Sequence, residues 1–280
     1  MIKLLAPAKI NLFLNVIAKR QDGYHEVETI LQKIELYDTI VLEERDEGIE
    51  LECKEVAGVE NLAYKTANLL KQELGGKKGV KIRIEKSIPI AAGLGGGSSD
   101  AAATLIGLNK LWDLELTQND LISFASKLGA DVPFFIFNEG LALGTGIGTI
   151  IAPLPPLPQF WLVIICPKIK ISTNKVYESL NFMLTNETIK GKIIKVAIKE
   201  GDIEKISKLL HNTLEEIVIP KYPIIKRLKE KLLKAGVLGA LMSGSGSTVF
   251  GIVKTEAEAI NIYNKLKGGD ELIFVTKNKV

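Results

Sequence analysis

Chemistry in this sequence is concentrated in Pro89-Ile-Ala-Ala-Gly-Leu-Gly-Gly-Gly-Ser-Ser-Asp100, which holds four glycines and two hydroxyls but no lysine. An alanine-rich, apolar-periodic run follows at once. Glycine admits positive φ and lets another group come close to the backbone. Successive exposed N–H groups that lead into a helix N-terminus make a site for phosphate, so the implied ligand is a phosphorylated nucleotide. The bland alternative is a glycine-rich turn that binds nothing. Against it, three consecutive glycines are costly unless something must approach them. A Walker loop is excluded because no Lys follows the glycines. The dinucleotide fingerprint fails as well: counted from Gly93 and Gly95, its third glycine falls on Ser98. Lys81, Arg83, Glu85 and Lys86 also interrupt any apolar strand running into the loop.

A phosphate loop without its own lysine needs charge from elsewhere. Phosphoryl transfer is mostly positioning plus electrostatic stabilisation, often with a carboxylate that orients or deprotonates the attacking hydroxyl. Asp131 is one candidate, set in an apolar stretch before Pro133; an N-cap for a short helix begun by Val132-Pro133 is the alternative. Lys9 is the other, and its alternative is a plain surface lysine. Tyr24-His25, after the turn signal Asp22-Gly23, could stack on and hydrogen-bond a flat base; a half-buried aromatic at a turn would look the same. Ser243-Gly-Ser-Gly-Ser247 could offer backbone N–H groups to phosphates, or be a tight hairpin. His211 reads as a structural residue on a helix rich in Leu and Lys.

Elements that must position these residues follow from periodicity. Residues 2–17 read as a strand, with Lys9 and Asn11 on one polar face. Further strand patterns cover 27–43 and 79–85, with a helix from Leu62 to Leu74 between them. Ala101, Ala102, Leu105, Leu108 and Trp112 recur at helical spacing after the loop. Thr117-x-x-Asp opens the next helix, which Gly129 ends in the C′ role. Leu154-Pro-Pro-Leu-Pro158 is the clearest composition break and reads as a linker. Beyond it the pattern predicts a strand at 160–166 and helices near 174–183, 188–200, 203–216 and 223–235. Two strands flank Ser243–Thr248, Thr255-x-x-Glu258 caps another helix, and a strand closes the chain near 271–276. Strands mixed with helices in both halves indicate an α+β fold.

At 280 residues the chain has room for two compact domains or one large one. A hydrophobic share of 46% against 25% charged residues suits an ordinary soluble globular protein. The net charge of +3 is too small to imply nucleic acid, and the lysines are spread along helical surfaces. Cys53 and Cys166 have neither metal-ligand nor disulfide spacing, and read as reduced and structural. Lys9 breaks the N-terminal apolar run too early for a signal peptide, and Phe160–Cys166 is too short to span a membrane. Cytoplasmic localisation is the expectation.

Together these segments resemble the GHMP kinase superfamily, small-molecule kinases that include galactokinase, homoserine kinase and mevalonate kinase. Pro7-Ala-Lys-Ile-Asn-Leu12, the loop Pro89–Ser99 and Ser243–Thr248 match in order, and the likeness covers nearly the whole chain. Arg20-Gln-Asp-Gly-Tyr-His25, the triple glycine and Gly129-Ala-Asp-Val-Pro-Phe-Phe135 point to the branch acting on a cytidine diphosphate methylerythritol. The resemblance implies that ATP phosphorylates its 2-hydroxyl in the non-mevalonate route to isoprenoids. A mevalonate or homoserine kinase is the alternative, or a catalytically silent nucleotide-binding regulator. Asp131 aligns with the catalytic base, and Lys9 with the lysine that holds it ionised. Pro89, Ile90, Ala91, Ala92, Gly93, Leu94, Gly95, Gly96, Gly97, Ser98 and Ser99 would cradle ATP. Asn11, Tyr24 and His25 match the cytidine-side pocket, with Thr173 and Tyr177 from the run Ser172–Tyr177. Mg²⁺ must accompany ATP; Ser98 or Ser99 could reach it, no acidic ligand is evident, and Asp100 reads as a helix-capping residue. The implied fold is an N-terminal α/β domain (1–155, of ribosomal-protein-S5-like type) and a ferredoxin-like C-terminal domain (156–280), with the active site in the cleft between them. The implied partner is that small-molecule substrate, with no nucleic acid and no membrane.

Overall fold

Two long strands open the chain, β1 (Ile2–Lys19) and β2 (His25–Arg45), hydrogen-bonded neighbours joined at Asp22-Gly23. The Tyr24 N–H donates to Asp22 Oδ1 at 3.1 Å, and Gly23 takes a φ of 84°, open to glycine without a Cβ penalty. The computed structural model describes residues 1–75, 78–180 and 188–280. The chain divides into two compact units, each assembled from separate stretches of sequence.

Met1–Ala8, Leu36–Ile90 and Gly95–Asn138 make the first unit. It holds β3 (Ile49–Glu52), α1 (Leu62–Leu74), β4 (Gly79–Glu85), α2 (Gly96–Leu111), α3 (Gln118–Leu128) and α4 (Val132–Ile136). β4 runs antiparallel to β2, with Ile84 opposite Ile40, and parallel to β3. Val80, Ile82 and Ile84 alternate with charged residues, so one face of β4 is buried and the other is not. α2 lies on these strands: a Cβ at Gly107 would overlap Leu42 Cδ1 and stand 2.8 Å from Leu4 Cδ1. The predicted capping box forms at α3, where the Thr117 N–H donates to Asp120 Oδ2 at 2.9 Å and the Asp120 N–H to Thr117 Oγ1 at 3.3 Å. Gly129 ends that helix in extended backbone (φ 165°), not in the left-handed C′ conformation predicted.

The second unit comprises Lys9–Glu35, Ala91–Leu94 and Glu139–Val280. It holds β5 (Leu141–Thr145), β6 (Ile150–Pro153), β7 (Trp161–Cys166), α5 (Thr173–Glu178), α6 (Thr188–Glu200), α7 (Ile203–Lys208), β8 (His211–Asn212) and α8 (Glu215–Lys221). It continues with α9 (Ile224–Ala235), β9 (Gly239–Met242), β10 (Val249–Val253), α10 (Glu256–Leu266) and β11 (Leu272–Lys277). Leu154–Pro158 forms neither helix nor strand. With α5 to α8 and β8 inserted after β7, the elements β7, α9, β9, β10, α10 and β11 run as β-α-β-β-α-β. Their sheet has the order β11-β7-β10-β9, the ferredoxin-like arrangement. Ile225, Leu228 and Leu232 of α9 and Ala259, Ile262 and Leu266 of α10 share a core with Val163, Ile165, Val249 and Val253. Burying each of the larger aliphatic side chains there stabilises the unit by about 2 kcal/mol.

The helix predicted over 203–216 does not exist as one piece. α7 and α8 are separated by β8, which pairs in parallel with β1 (Phe13 with His211, Leu14 with Asn212). His211 is therefore a strand residue. Asn212 explains the break: Nδ2 donates to the carbonyls of Met242 and Gly244, both at 2.8 Å, while Oδ1 accepts from the Leu214 N–H at 3.0 Å. The helix predicted near 174–183 ends at Glu178, and residues 181–183 lie outside the described residues. Asn212→Ala would strip interior carbonyls and an N–H of their partner. The expected loss is about 3 kcal/mol, read as a lower urea midpoint with an unchanged m-value.

Candidate active site

Ala8 to Val16 of β1 are buried on both faces, so Lys9 and Asn11 do not face solvent. Lys9 is 3% exposed, which removes the surface-lysine alternative. A buried ammonium has to be hydrogen-bonded. Lys9 Nζ donates to Asn11 Oδ1 at 2.8 Å, Asn11 Nδ2 donates to Thr29 Oγ1 at 2.8 Å, and the Thr29 hydroxyl donates to the Phe13 carbonyl at 2.8 Å. The relay settles which way the Asn11 amide points: oxygen to the ammonium, NH₂ to the threonine.

Ala91, Ala92, Gly93 and Leu94 of the glycine loop lie against this strand and the turn between β9 and β10. The Lys9 N–H donates to Leu94 O at 2.9 Å, the Thr248 N–H to Ala92 O at 3.1 Å, and Ser243 Oγ to Gly93 O at 2.9 Å. Gly93 has a φ of 80°, and a Cβ there would overlap the Ser243 carbonyl oxygen. A Cβ on Gly244 would stand 3.3 Å from Lys9 Nζ. Ser243–Thr248 is thus the hairpin turn, with Met242 opposite Val249. It also backs the loop, through the Thr248 N–H on Ala92 O and Ser243 Oγ on Gly93 O.

The remainder of the loop belongs to the first unit. Gly95, at φ 71°, precedes α2, whose first turn is Gly96-Gly97-Ser98-Ser99. The Ser99 N–H closes that turn on Gly95 O at 2.9 Å. The N–H groups of Gly96, Gly97 and Ser98 have no acceptor within the helix, the arrangement that favours an anion. The Ser99 hydroxyl is buried without a hydrogen-bond partner. Asp100 lies beyond the cap position and does not cap; its carboxylate accepts from Lys86. Asp131, half-buried, holds the N-cap position of α4 with Pro133 in the first turn, as the N-cap alternative expects, but in helical backbone and without a side-chain capping bond. Among the described residues, no group of three or more His, Cys, Asp or Glu could hold a metal ion, and no helix is long and apolar enough to cross a membrane.

His25 and Tyr177 come together in the second unit, ring centroids 5.2 Å apart and tilted by 40°. Thr173 Oγ1 lies 2.7 Å from Ser245 Oγ. Tyr24, by contrast, is 61% exposed. Burial, helped by the charge of Lys19, holds the His25 imidazole below the usual histidine pKa, so it is neutral at pH 7.

Two family models match the chain, GHMP kinases N terminal domain over residues 61–139 and GHMP kinases C terminal over 194–270. A 4-diphosphocytidyl-2-C-methyl-D-erythritol kinase of Alkaliphilus metalliredigens is 44% identical over 269 residues, covering 95% of this chain and 92% of its own. This chain belongs to the GHMP kinase family. A crystal structure of 4-(cytidine 5'-diphospho)-2C-methyl-D-erythritol kinase superposes with a TM-score of 0.84 at 35% identity, covering all of both chains. Homoserine kinase from Cytophaga hutchinsonii shares the fold at 19% identity (TM-score 0.79; all of this chain, 94% of the other).

In this GHMP kinase Thr29 and Asn212 are site residues that the sequence did not single out, while Ser245 lies in the run Ser243–Ser247 that it did. Thr29 had a signal: it stands between the apolar Val27 and Leu31 on one face of β2. Asn212 had none, because its carbonyl partners Met242 and Gly244 are distant in sequence. Gly93→Ala would force the loop off the Ser243 carbonyl and is expected to weaken ATP binding by about tenfold or more in calorimetric titration. Gly97→Ala is the comparison for folding, since its Cβ would meet only Leu62 Cδ1, at 3.7 Å.

Proposed function

We infer that this chain transfers the γ-phosphoryl group of ATP to the 2-hydroxyl of 4-diphosphocytidyl-2-C-methyl-D-erythritol, giving the 2-phosphate and ADP. The reaction belongs to the non-mevalonate isoprenoid precursor pathway. The observation that carries this reading is the near-full-length 44% identity to a relative of that name. The convergence of Lys9, Ala91–Leu94 and Ser243–Thr248 in one unit supports it. Homoserine and mevalonate kinases, at 19% identity or less, share the fold and lend no support to their own acceptors.

Asp131 is the proposed base for the attacking hydroxyl, and Lys9 the proposed cation that steadies the developing charge. The N–H groups at the start of α2 and residues Pro89 to Leu94 would hold the triphosphate. Mg²⁺ would enter with ATP and neutralise its β and γ oxygens. The buried Ser99 hydroxyl is a protein oxygen of the right kind to meet it. Asn11, Tyr24, His25, Thr173 and Tyr177 are the proposed acceptor-side residues; support comes from the His25–Tyr177 ring contact and from Thr173 at Ser245. Residues 1–155 and 156–280 are proposed as the ATP-binding and C-terminal domains, with Leu154–Pro158 between the stretches that the two family models match. A cytosolic location suits the free thiols of Cys53 and Cys166.

ADP release with Mg-ATP and three acceptors (the cytidine diphosphate methylerythritol, mevalonate and homoserine) tests the assignment, and turnover confined to the first is expected. Asp131→Asn should keep ATP affinity while kcat drops by about 10³; near-parental turnover would sink the proposed base. The neutral His25 gives a pH test. Its pKa lies below the usual value, so the imidazole gains a proton only as pH falls below about 6.5, losing its acceptor nitrogen. KM for the cytidine substrate should therefore rise toward acid pH in the parent, and that rise should vanish in His25→Gln.

A further inference from the structure

Lys86, Asp38 and Asp100 form a buried cluster in the first unit that the mechanism leaves without a role. Lys86 Nζ lies 2.5 Å from Asp38 Oδ2 and 2.6 Å from Asp100 Oδ2, with the three side chains 7%, 0% and 5% exposed. Ionic groups at this depth lose several kcal/mol of hydration each, and apolar residues of the same volume would often stabilise the fold as well or better. Stability alone is therefore a poor reason for them. Their geometry offers another. Asp38, on β2, also accepts the N–H groups of Ser87 and Ile88 on Oδ1, at 2.6 and 2.8 Å. That fixes the chain just ahead of Pro89, where the glycine loop begins. Lys86 then reaches across to Asp100 on α2, just after the loop ends. Gly96 completes the fit, since a Cβ there would stand 3.0 Å from Ile88 Cγ2 and 3.3 Å from Lys86 Nζ.

We propose that Asp38, Lys86 and Asp100 are positioning residues for the nucleotide, a brace that ties the start of the glycine loop to its end and so sets the aim of the N–H groups of α2. The proposal rests on the kinase reading for the identity of the phosphate donor. The two carboxylates differ in what they must do. Asp38 uses both oxygens, on an ammonium and two N–H groups, whereas Asp100 uses Oδ2 alone and its Oδ1 is buried without a partner. Burial pushes the Asp100 carboxyl up to about 7 against the pull of Lys86. Burial would likewise lower the Lys86 ammonium, but Asp100 and Asp38 outweigh it and hold it above the usual lysine value. An amide can replace Asp100, keeping an oxygen for Lys86. At Asp38 it would turn NH₂ toward a donor.

Calorimetric titration of the full chain with Mg-ATP, without acceptor, is the test, with far-UV circular dichroism as the check of folding. Asp38→Asn is expected to weaken ATP binding by about tenfold, Asp100→Leu by a similar factor, and Asp100→Asn by no more than about twofold. In turnover, KM for ATP should rise while KM for the acceptor stays at the parental value, a split that general destabilisation would not produce. A folded Asp38→Asn that binds Mg-ATP as the parent does would overturn the brace. If that variant fails to fold, parental affinity in Asp100→Leu would overturn it instead, as would equal losses in Asp100→Asn and Asp100→Leu. A parent that binds Mg-ATP but turns over no cytidine acceptor would overturn the acceptor assignment alone, because the titration contains no acceptor.

Discussion

A lysine with 3% of its surface exposed, midway along a strand buried on both faces, constrains everything around it. Left without partners it would cost several kcal/mol, so its neighbours must be polar and fixed. Asn11 supplies an oxygen, Thr29 decides which end of the Asn11 amide is that oxygen, and the Phe13 carbonyl decides where the threonine hydrogen goes. Gly244 lets the β9–β10 turn come within a Cβ's reach of the same nitrogen. A cation held this way is preorganised, as the role proposed for Lys9 requires.

The glycine loop carries no lysine, and its own backbone holds it in place. Its first half is anchored through its own carbonyls, which accept from Lys9, Thr248 and Ser243. Those bonds occupy C=O groups and spare the N–H groups at the start of α2. Glycine is required at Gly93 because a carbonyl sits where a side chain would begin. The proposed brace of Asp38, Lys86 and Asp100 lies in the first unit, with Ser87 and Ile88 before the loop and Gly95 to Asp100 at its end.

Interleaving of the chain has a consequence for function. Ala8 and Lys9 are adjacent in sequence yet fall in different units, as do Leu94 and Gly95. Both crossings lie within segments that carry the proposed chemistry. A backbone change at either point would act on two cores at once, which makes these positions more demanding than surface loops of the same length.

Much of this protein could be read before any coordinates. The strand 79–85, the helix 62–74, the capping boxes at Thr117 and Thr255 and the hairpin around Ser243–Thr248 follow from spacing and turn chemistry, interactions between near neighbours in the chain. The residues proposed for catalysis and phosphate binding were legible for the same reason, since motifs are local. Other features depend on partners far away in sequence. Helical periodicity at 203–216 lost to strand pairing with β1 and to the three bonds of Asn212. Whether Lys9 faced water, which way Asn11 pointed and that Lys86 would find two carboxylates were settled by burial. Desolvation makes distant polar groups seek one another, and the identities of chain neighbours carry no record of that cost.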